Sequence, residues 1–446
     1  MTFRRTLQFA AGCVALVAWR AALAQSSDVA VGYAGLPSKS PMGGGTGVQL
    51  SDSVLMHAGV GLEAGYDSNV FYSDKSLQTG SPIMRVLPYL EFTNASRAGA
   101  APSGVFFDLD LIASYRRYLS NSPQPTPPGQ PLSDKKVSDE SEFLPSANGI
   151  LEFSSGQTMS FLVSDSFSRY EDAPYVTSTG RTGPLVRYVN AASAQIRWAP
   201  GGGRLQGMIR YDNNYDAFSS DSGLSFADSI SHQLSLDVSW KWLPKTAIFV
   251  RVSQGYVSYL NGQSATLTDT TKSSSTPFHA QLGLRGLVTQ KTSVNLWVGY
   301  ASAAYNQGPS PTGLAGHLNA NAELTVRPTL LTTLGLGYRH EFENAVVGNY
   351  YNLDGITAWA QQQLAGRVTA VVSGRYERRD FHFLDSERVD NFYQVGAAVD
   401  YRPKSWGYFG VGYSLLLNDA GTATANGPIG ATYTKHQIFA RIGVTY

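Results

Sequence analysis

Apolar residues recur at every second position through most of this chain. Val60, Leu62, Ala64 and Tyr66 alternate with Gly59, Gly61, Glu63 and Gly65. Val105, Phe107, Leu109 and Leu111 alternate with Phe106, Asp108 and Asp110. Leu234, Leu236, Val238, Trp240 and Trp242 alternate with Ser235, Asp237, Ser239 and Lys241, and Leu318, Ala320, Ala322 and Leu324 with Asn319, Asn321 and Glu323. A strand sends successive side chains to opposite faces, so this period of two predicts strands with one apolar and one polar side. Segments of this kind give roughly 18 strands from residue 57 to the end.

Soluble sandwiches and propellers alternate as well, and the connections separate them from a barrel. Tight turn chemistry appears at Ser154–Gln157, Pro200–Gly203, Pro244-Lys245, Gln290-Lys291, Arg327-Pro328, Ala365-Gly366 and Pro403-Lys404. Longer polar stretches lie between them, near 119–142, 171–184, 217–225, 261–275, 306–314, 384–390 and 419–433. Short turns on one side and long loops on the other are the layout of outer-membrane barrels. The expected fold is therefore all-β: a transmembrane antiparallel up-and-down β-barrel of about 18 strands, outer-membrane type, spanning 54–446. An even strand number places both termini in the periplasm.

Both ends of the chain agree with export. Arg4 and Arg5 precede the apolar run Leu7–Trp19, which is too short to span a bilayer, and Ala22-Leu23-Ala24 reads as a cleavage site. Residues 1–24 are thus expected to be a signal peptide. Residues 25–53, rich in Ser, Gly and Pro, are expected to be a flexible periplasmic extension. The chain ends on an aromatic, Tyr446, with Val444, Ile442, Ala440 and Ile438 at every second position before it. These five residues look like the signal read by the barrel-assembly machinery.

Composition narrows the function. Charged residues are 15% of the chain, aromatics 12%, and 45 of the 446 residues are Gly. Net charge is +1, which argues against a nucleic-acid partner, and a single Cys excludes a disulfide framework. No G-x-S-x-G or H-E-x-x-H occurs, and the seven His are scattered. Neither an enzyme nor a cofactor is expected. His382 with Asp380, Asp385 and Glu387 reads as solvated loop charge. Tyr66, Tyr72, Tyr115, Tyr118, Tyr170, Tyr256, Tyr300, Tyr338, Tyr376 and Tyr413 fall near the long-loop ends of strands, and Trp198, Trp242 and Tyr401 near the turns, as two interfacial girdles would require.

An 18-stranded barrel is roughly 35 Å across, too wide for wall side chains alone to fill. Candidate pore-lining residues on the polar face are Glu63, Asp108, Asp110, Arg197, Arg210, Asp237, Lys241, Arg285, Glu323, Arg339, Arg375 and Glu377. Their mixed sign predicts weak ion selectivity or a charge separation across the lumen. Phe106, Trp297 and Trp359 are candidate inward aromatics.

The segment Gly61-Leu62-Glu63-Ala64-Gly65-Tyr66-Asp67-Ser68-Asn69-Val70-Phe71 resembles the opening motif of the putative β-barrel porin type 2 family, and the resemblance extends over about 54–446. It implies an outer-membrane protein, with some members tied to polysaccharide export, and it carries over no functional residue. Asp67, Ser68 and Asn69 are themselves good turn formers. The expected function is an outer-membrane channel, with the outer-membrane step of exopolysaccharide secretion as its finer form. The alternative is a non-conducting structural or surface-binding barrel. Expected partners are outer-membrane lipid and lipopolysaccharide, the barrel-assembly machinery, polysaccharide and periplasmic export proteins.

Overall fold

The computed structural model describes residues 47–446 apart from 96–103, 127–133, 156, 173–183, 202, 220–223, 262–271, 314–316, 384–385 and 423–429. The expected signal peptide and most of the expected extension lie outside the described residues. The strands are β1 (Val48–Ser51), β2 (Val54–Asp67), β3 (Ser81–Thr93), β4 (Gly104–Tyr118), β5 (Glu142–Ser155), β6 (Met159–Asp172), β7 (Leu185–Trp198), β8 (Leu205–Phe218), β9 (Ser229–Leu243) and β10 (Thr246–Tyr259). They continue as β11 (Ser275–Leu287), β12 (Thr292–Tyr305), β13 (Leu318–Val326), β14 (Thr332–Asn344), β15 (Tyr350–Leu364), β16 (Val368–His382), β17 (Glu387–Lys404), β18 (Gly407–Ala420) and β19 (Tyr433–Thr445).

Each strand from β2 onward pairs antiparallel with the next, and β19 returns to pair with β2 from Thr445↔Gly59 to Gln437↔Asp67. Eighteen strands therefore close into a barrel, and closure leaves no edge unpaired in lipid. The terminal residue joins the closure, since Tyr446 N–H donates to Ala58 O at 2.7 Å. Most strands run to 13–15 residues, longer than the 9–11 that a tilted membrane strand needs, so their ends project beyond the hydrocarbon.

The two faces follow the alternation in the sequence. Leu336 is 54% exposed and Ile438 60%, and Leu62, Leu234, Leu282 and Val298 lie in the same outward belt. A continuous apolar belt of this size is stable only against acyl chains or a partner surface. Trp198, Trp242 and Tyr401 are exposed near the short turns, and Tyr66, Tyr115, Tyr256, Tyr300 and Tyr338 near the long loops. The chain is an outer-membrane β-barrel.

Two expectations change. The end of the expected extension is not strandless: Val48–Ser51 forms β1, a short strand paired on β2 outside the ring of eighteen through Val48↔Met56 and Gln49↔Leu55. Four residues are too few to show a period, which hid this strand among Ser and Gly. Three tyrosines also leave the expected girdle. Tyr118 and Tyr170 occupy the inward register of β4 and β6, Tyr72 is folded in from a loop, and all three are buried.

Candidate pore lumen and mouth

Each of the twelve charged residues expected to face inward occupies a position alternating with the exposed apolar row of its strand. Several meet opposite charges on their own strand or on a strand one or two away in the ring. Asp237 on β9 accepts from Arg251 on β10 at 2.8 Å and from Arg285 on β11 at 3.0 Å. Glu377 on β16 accepts from Arg375, from Arg379 at 2.8 Å and from Arg339 on β14 at 3.4 Å. Glu63 pairs with Arg85 at 3.2 Å, Arg210 with Asp212 at 2.6 Å, and Asp400 with Arg441 at 2.7 Å. Glu323 accepts from the Asn295 amide at 3.0 Å. Arg197 and Lys241 extend the inner rows of β7 and β9 toward the turns. Lateral pairing keeps the field along the wall short-ranged.

A different chemistry lines β5–β7. Ser164 and Ser193 hydroxyls lie 2.7 Å apart, and the Ser166 hydroxyl donates to Asn148 at 2.7 Å. Ser160 and Ser168 share this inner row. Near the turns, the carboxylates of Glu91, Asp108 and Asp110 lie within 4.8 Å of one another, and His57 Nδ1 is 3.3 Å from Glu91. Among the described residues, this is the group whose spacing suits a divalent cation.

Inward aromatics lie flat on the wall where the facing residue has no Cβ. A Cβ on Gly335 would sit 2.1 Å from Trp359 Nε1, and one on Gly283 would sit 2.5 Å from the Phe249 ring. The Phe249 ring in turn carries the Arg285 guanidinium at 4.8 Å. Trp297 is buried in the wall, and Phe106 occupies the inner row of β4.

Apolar loop residues fill the long-loop mouth. Ala345, Val346 and Val347, in the turn between β14 and β15, are buried with Phe218, Leu224 and Ala227 at the end of β8 and in the loop after it. Tyr351, Leu353 and Phe381, from the inner rows of β15 and β16, complete the cluster. β8 and β15 lie seven strands apart in the 18-strand ring, so this cluster spans the opening. On the other side, Val70 and Phe71 from the loop after β2 pack on Ile83, Tyr118 and Val137. Tyr72 packs edge-on against Tyr433, 5.1 Å between centroids, and joins Phe392, Leu416 and Ala431. Charges are sealed beneath these loops: Arg116 with Glu171 and Arg388 with Asp390, all fully buried.

One lysine ties loops together at this mouth. Lys272, in the connection after β10, donates to Ala345 O and, at 2.9 Å, to Gly348 O. Its ammonium lies 4.4 Å from the Tyr259 ring centroid. Burial pushes the Lys272 amine down from 10.5 to about 7, against a smaller upward pull from Asp216.

The motif at 61–71 proves to be a clasp on the closing seam. Asp67 Oδ2 forms an ion pair with Lys435 at 2.9 Å and accepts from Gln437 at 2.9 Å and from the Tyr118 hydroxyl at 3.0 Å. Ser68 exchanges bonds with the His436 backbone, its N–H donating at 2.9 Å and its hydroxyl accepting at 2.8 Å. The Asn69 amide donates to Thr434 O at 3.0 Å and to Ser73 O at 2.7 Å. All three residues therefore bind strand β19 and aim the next three into the mouth.

Sequence reasoning missed Lys272, Lys435 and the turn 345–349. An apolar pair, Val346-Val347, between the turn formers Asn344 and Gly348-Asn349 was the available signal. His382 stacks on Tyr350 at 4.9 Å and meets the Asn352 amide at 3.1 Å. Of its suggested companions, Glu387 lies 3.6 Å away and Asp385 falls outside the described residues.

Residues 53–414 match the family described as putative beta-barrel porin 2. The chain belongs to this family. Members are porin-like barrels, which makes this chain a porin-like outer-membrane protein. No curated protein matches the sequence. Among solved structures, it is similar to OpdK of Pseudomonas aeruginosa, solved with vanillate, at 10% identity over 88% of this chain and 99% of that one, TM-score 0.44. It is similar to OccAB4 of Acinetobacter baumannii at 12% identity over 88% and 98%, TM-score 0.43. The siderophore receptor PirA of Acinetobacter baumannii is similar at 8% identity over 90% and 81%, TM-score 0.41.

Proposed function

We propose that this porin-like barrel is a channel for hydrophilic solutes, with neutral, hydroxyl-rich molecules such as saccharides as its cargo. The observation that carries the reading is the inner wall. Charges on it are paired with neighbours, as in Glu63–Arg85 and Asp400–Arg441, while β5–β7 present serine hydroxyls and amides. Such a wall offers hydrogen bonds to a hydroxylated solute and little net field to an ion. Export of exopolysaccharide, with periplasmic export proteins as partners, is the finer form of this reading. In the same reading residues 1–24 direct export and both chain termini lie on the periplasmic side. The assembly machinery reads Ile438, Ala440, Ile442, Val444 and Tyr446, and lipid and lipopolysaccharide contact the outer belt.

Liposome swelling with sugars of increasing size tests it. Swelling that is fast for small sugars and falls with size is expected. Rates equal to protein-free liposomes for every sugar would favour a second reading, a non-conducting barrel. The apolar packing across the mouth, from Leu224 to Val346, is the observation in favour of that alternative.

A further inference from the structure

We propose that the inner wall of β13–β15 holds a saccharide-binding subsite, in which a sugar ring stacks on the Trp359 indole and gives its hydroxyl hydrogens to Glu323 over a hollow floored by Gly337. The inference rests on reading the barrel as a channel for hydroxylated solutes and adds where such a solute is held.

Backbone register builds the hollow. Glu323 on β13 faces Gly337 on β14, Gly337 faces Thr357 on β15, and one step toward the turns Gly335 faces Trp359. All five occupy inward rows, alternating with the exposed Leu324, Leu336 and Ile356 of the outer belt. A Cβ built on Gly337 would meet nothing nearer than 3.9 Å, where the Glu323 and Thr357 side chains flank it. Those two residues stand two strand spacings apart, roughly 10 Å between backbones, with no side chain between them. Arg339, two residues further along β14 and held by Glu341 at 2.9 Å, bounds the hollow toward the long loops.

The second glycine of β14 places the indole. Any side chain at 335 would collide with the Trp359 ring, so glycine there lets the ring lie against the wall. The ring stays part-exposed, with one face on the backbone and the other toward the lumen. An aromatic face carries the negative lobe of the ring quadrupole, which attracts the C–H face of a sugar ring. Among the described residues, the Trp359 Nε1–H has no acceptor.

Glu323 differs from other carboxylates of the wall. Glu63, Asp237 and Glu377 each meet a guanidinium. Among the described residues, Glu323 meets the Asn295 amide at 3.0 Å and no cation. An ionised carboxylate with spare lone pairs binds hydroxyl hydrogens more strongly than a neutral acceptor does. An aromatic face beside a carboxylate and a threonine hydroxyl suits a molecule that is apolar on its faces and hydroxylated around its edge, and a pyranose ring has that form.

Titration calorimetry on the purified full barrel, in a detergent without a sugar headgroup, tests the subsite separately from conduction. The probes are maltohexaose, cellohexaose and chitohexaose, and saturable binding of at least one is expected. Trp359→Ala is expected to weaken that binding about tenfold or more, as loss of the stacking face predicts. Gly337→Leu fills the hollow with the indole still present, and is expected to weaken binding at least as much. It keeps the test open if Trp359→Ala fails to fold, each variant being judged by its heat-shifted gel mobility. Glu323→Gln preserves the shape and should also weaken binding. No binding of any of the three sugars, or unchanged binding in the folded variants, overturns the subsite. Binding that the variants weaken, in a barrel that shows no liposome swelling, leaves the subsite standing and removes the channel reading. Swelling with sugars in a barrel whose binding the variants do not touch does the reverse.

Discussion

Asp67 and Lys435 form an ion pair of 2.9 Å, both side chains fully buried, across the seam where the first and last long strands of the barrel meet. Lys435 also lies 3.9 Å from the Tyr72 ring centroid, so the same cation holds the loop that Asp67 begins. The closing seam is the one strand pairing whose partners lie at opposite ends of the sequence. Its side-chain clasp therefore acts where chain connectivity contributes nothing.

Breaking one side of this pair leaves a buried charge. Asp67→Asn should destabilise the folded barrel by about 3–5 kcal/mol. The check is the temperature at which the compact, fast-migrating gel band of unheated protein converts to the slow band of boiled protein. Lys435→Met added to Asp67→Asn should cost little more than Asp67→Asn alone, and fully additive losses would show that the two do not act together.

The two faces of β14 can be told apart with one residue type. Leu336→Lys places an ammonium on the outward belt and should destabilise the barrel by roughly 2–4 kcal/mol in vesicle-based denaturant unfolding. Gly337→Lys, one position along, points inward, where an added Cβ meets only ordinary contacts with Glu323 and Thr357. It should fall within about 1 kcal/mol of the parent. The reverse order would contradict the assignment of the faces.

Asp237 is shared by two guanidiniums, and its removal changes the wall's charge without adding bulk. Asp237→Asn leaves Arg251 and Arg285 uncompensated. In a salt gradient across a planar bilayer, the reversal potential should move toward anion preference. An unchanged potential would mean that permeating ions do not pass this wall.

Much of the barrel was legible because its rule is local. Leu234 to Trp242 alternate with Ser235 to Lys241 by strand geometry alone, so face and fold follow from neighbours in sequence. The same rule placed Glu63, Asp237 and Glu377 inward. It could not show that Glu377, beside Arg375 and Arg379 on its own strand, would also take Arg339 from β14, since register between strands fixes that meeting. Tyr118 and Tyr170 were read as girdle residues by position along the strand, yet their parity turned them into the mouth.

By itself, the sequence determined an antiparallel barrel of about 18 strands, the alternation of its two faces and the ends that carry turns or loops. Those properties depend on a two-residue period and on turn chemistry, both readable over a few positions. Tertiary structure alone decided that Asp67-Ser68-Asn69 clasps β19, that Val346 reaches Leu224 across the opening, and that Lys272 fastens the turn between β14 and β15. These contacts join segments tens to hundreds of residues apart. Their partners are set by ring closure and loop reach, which no local pattern encodes.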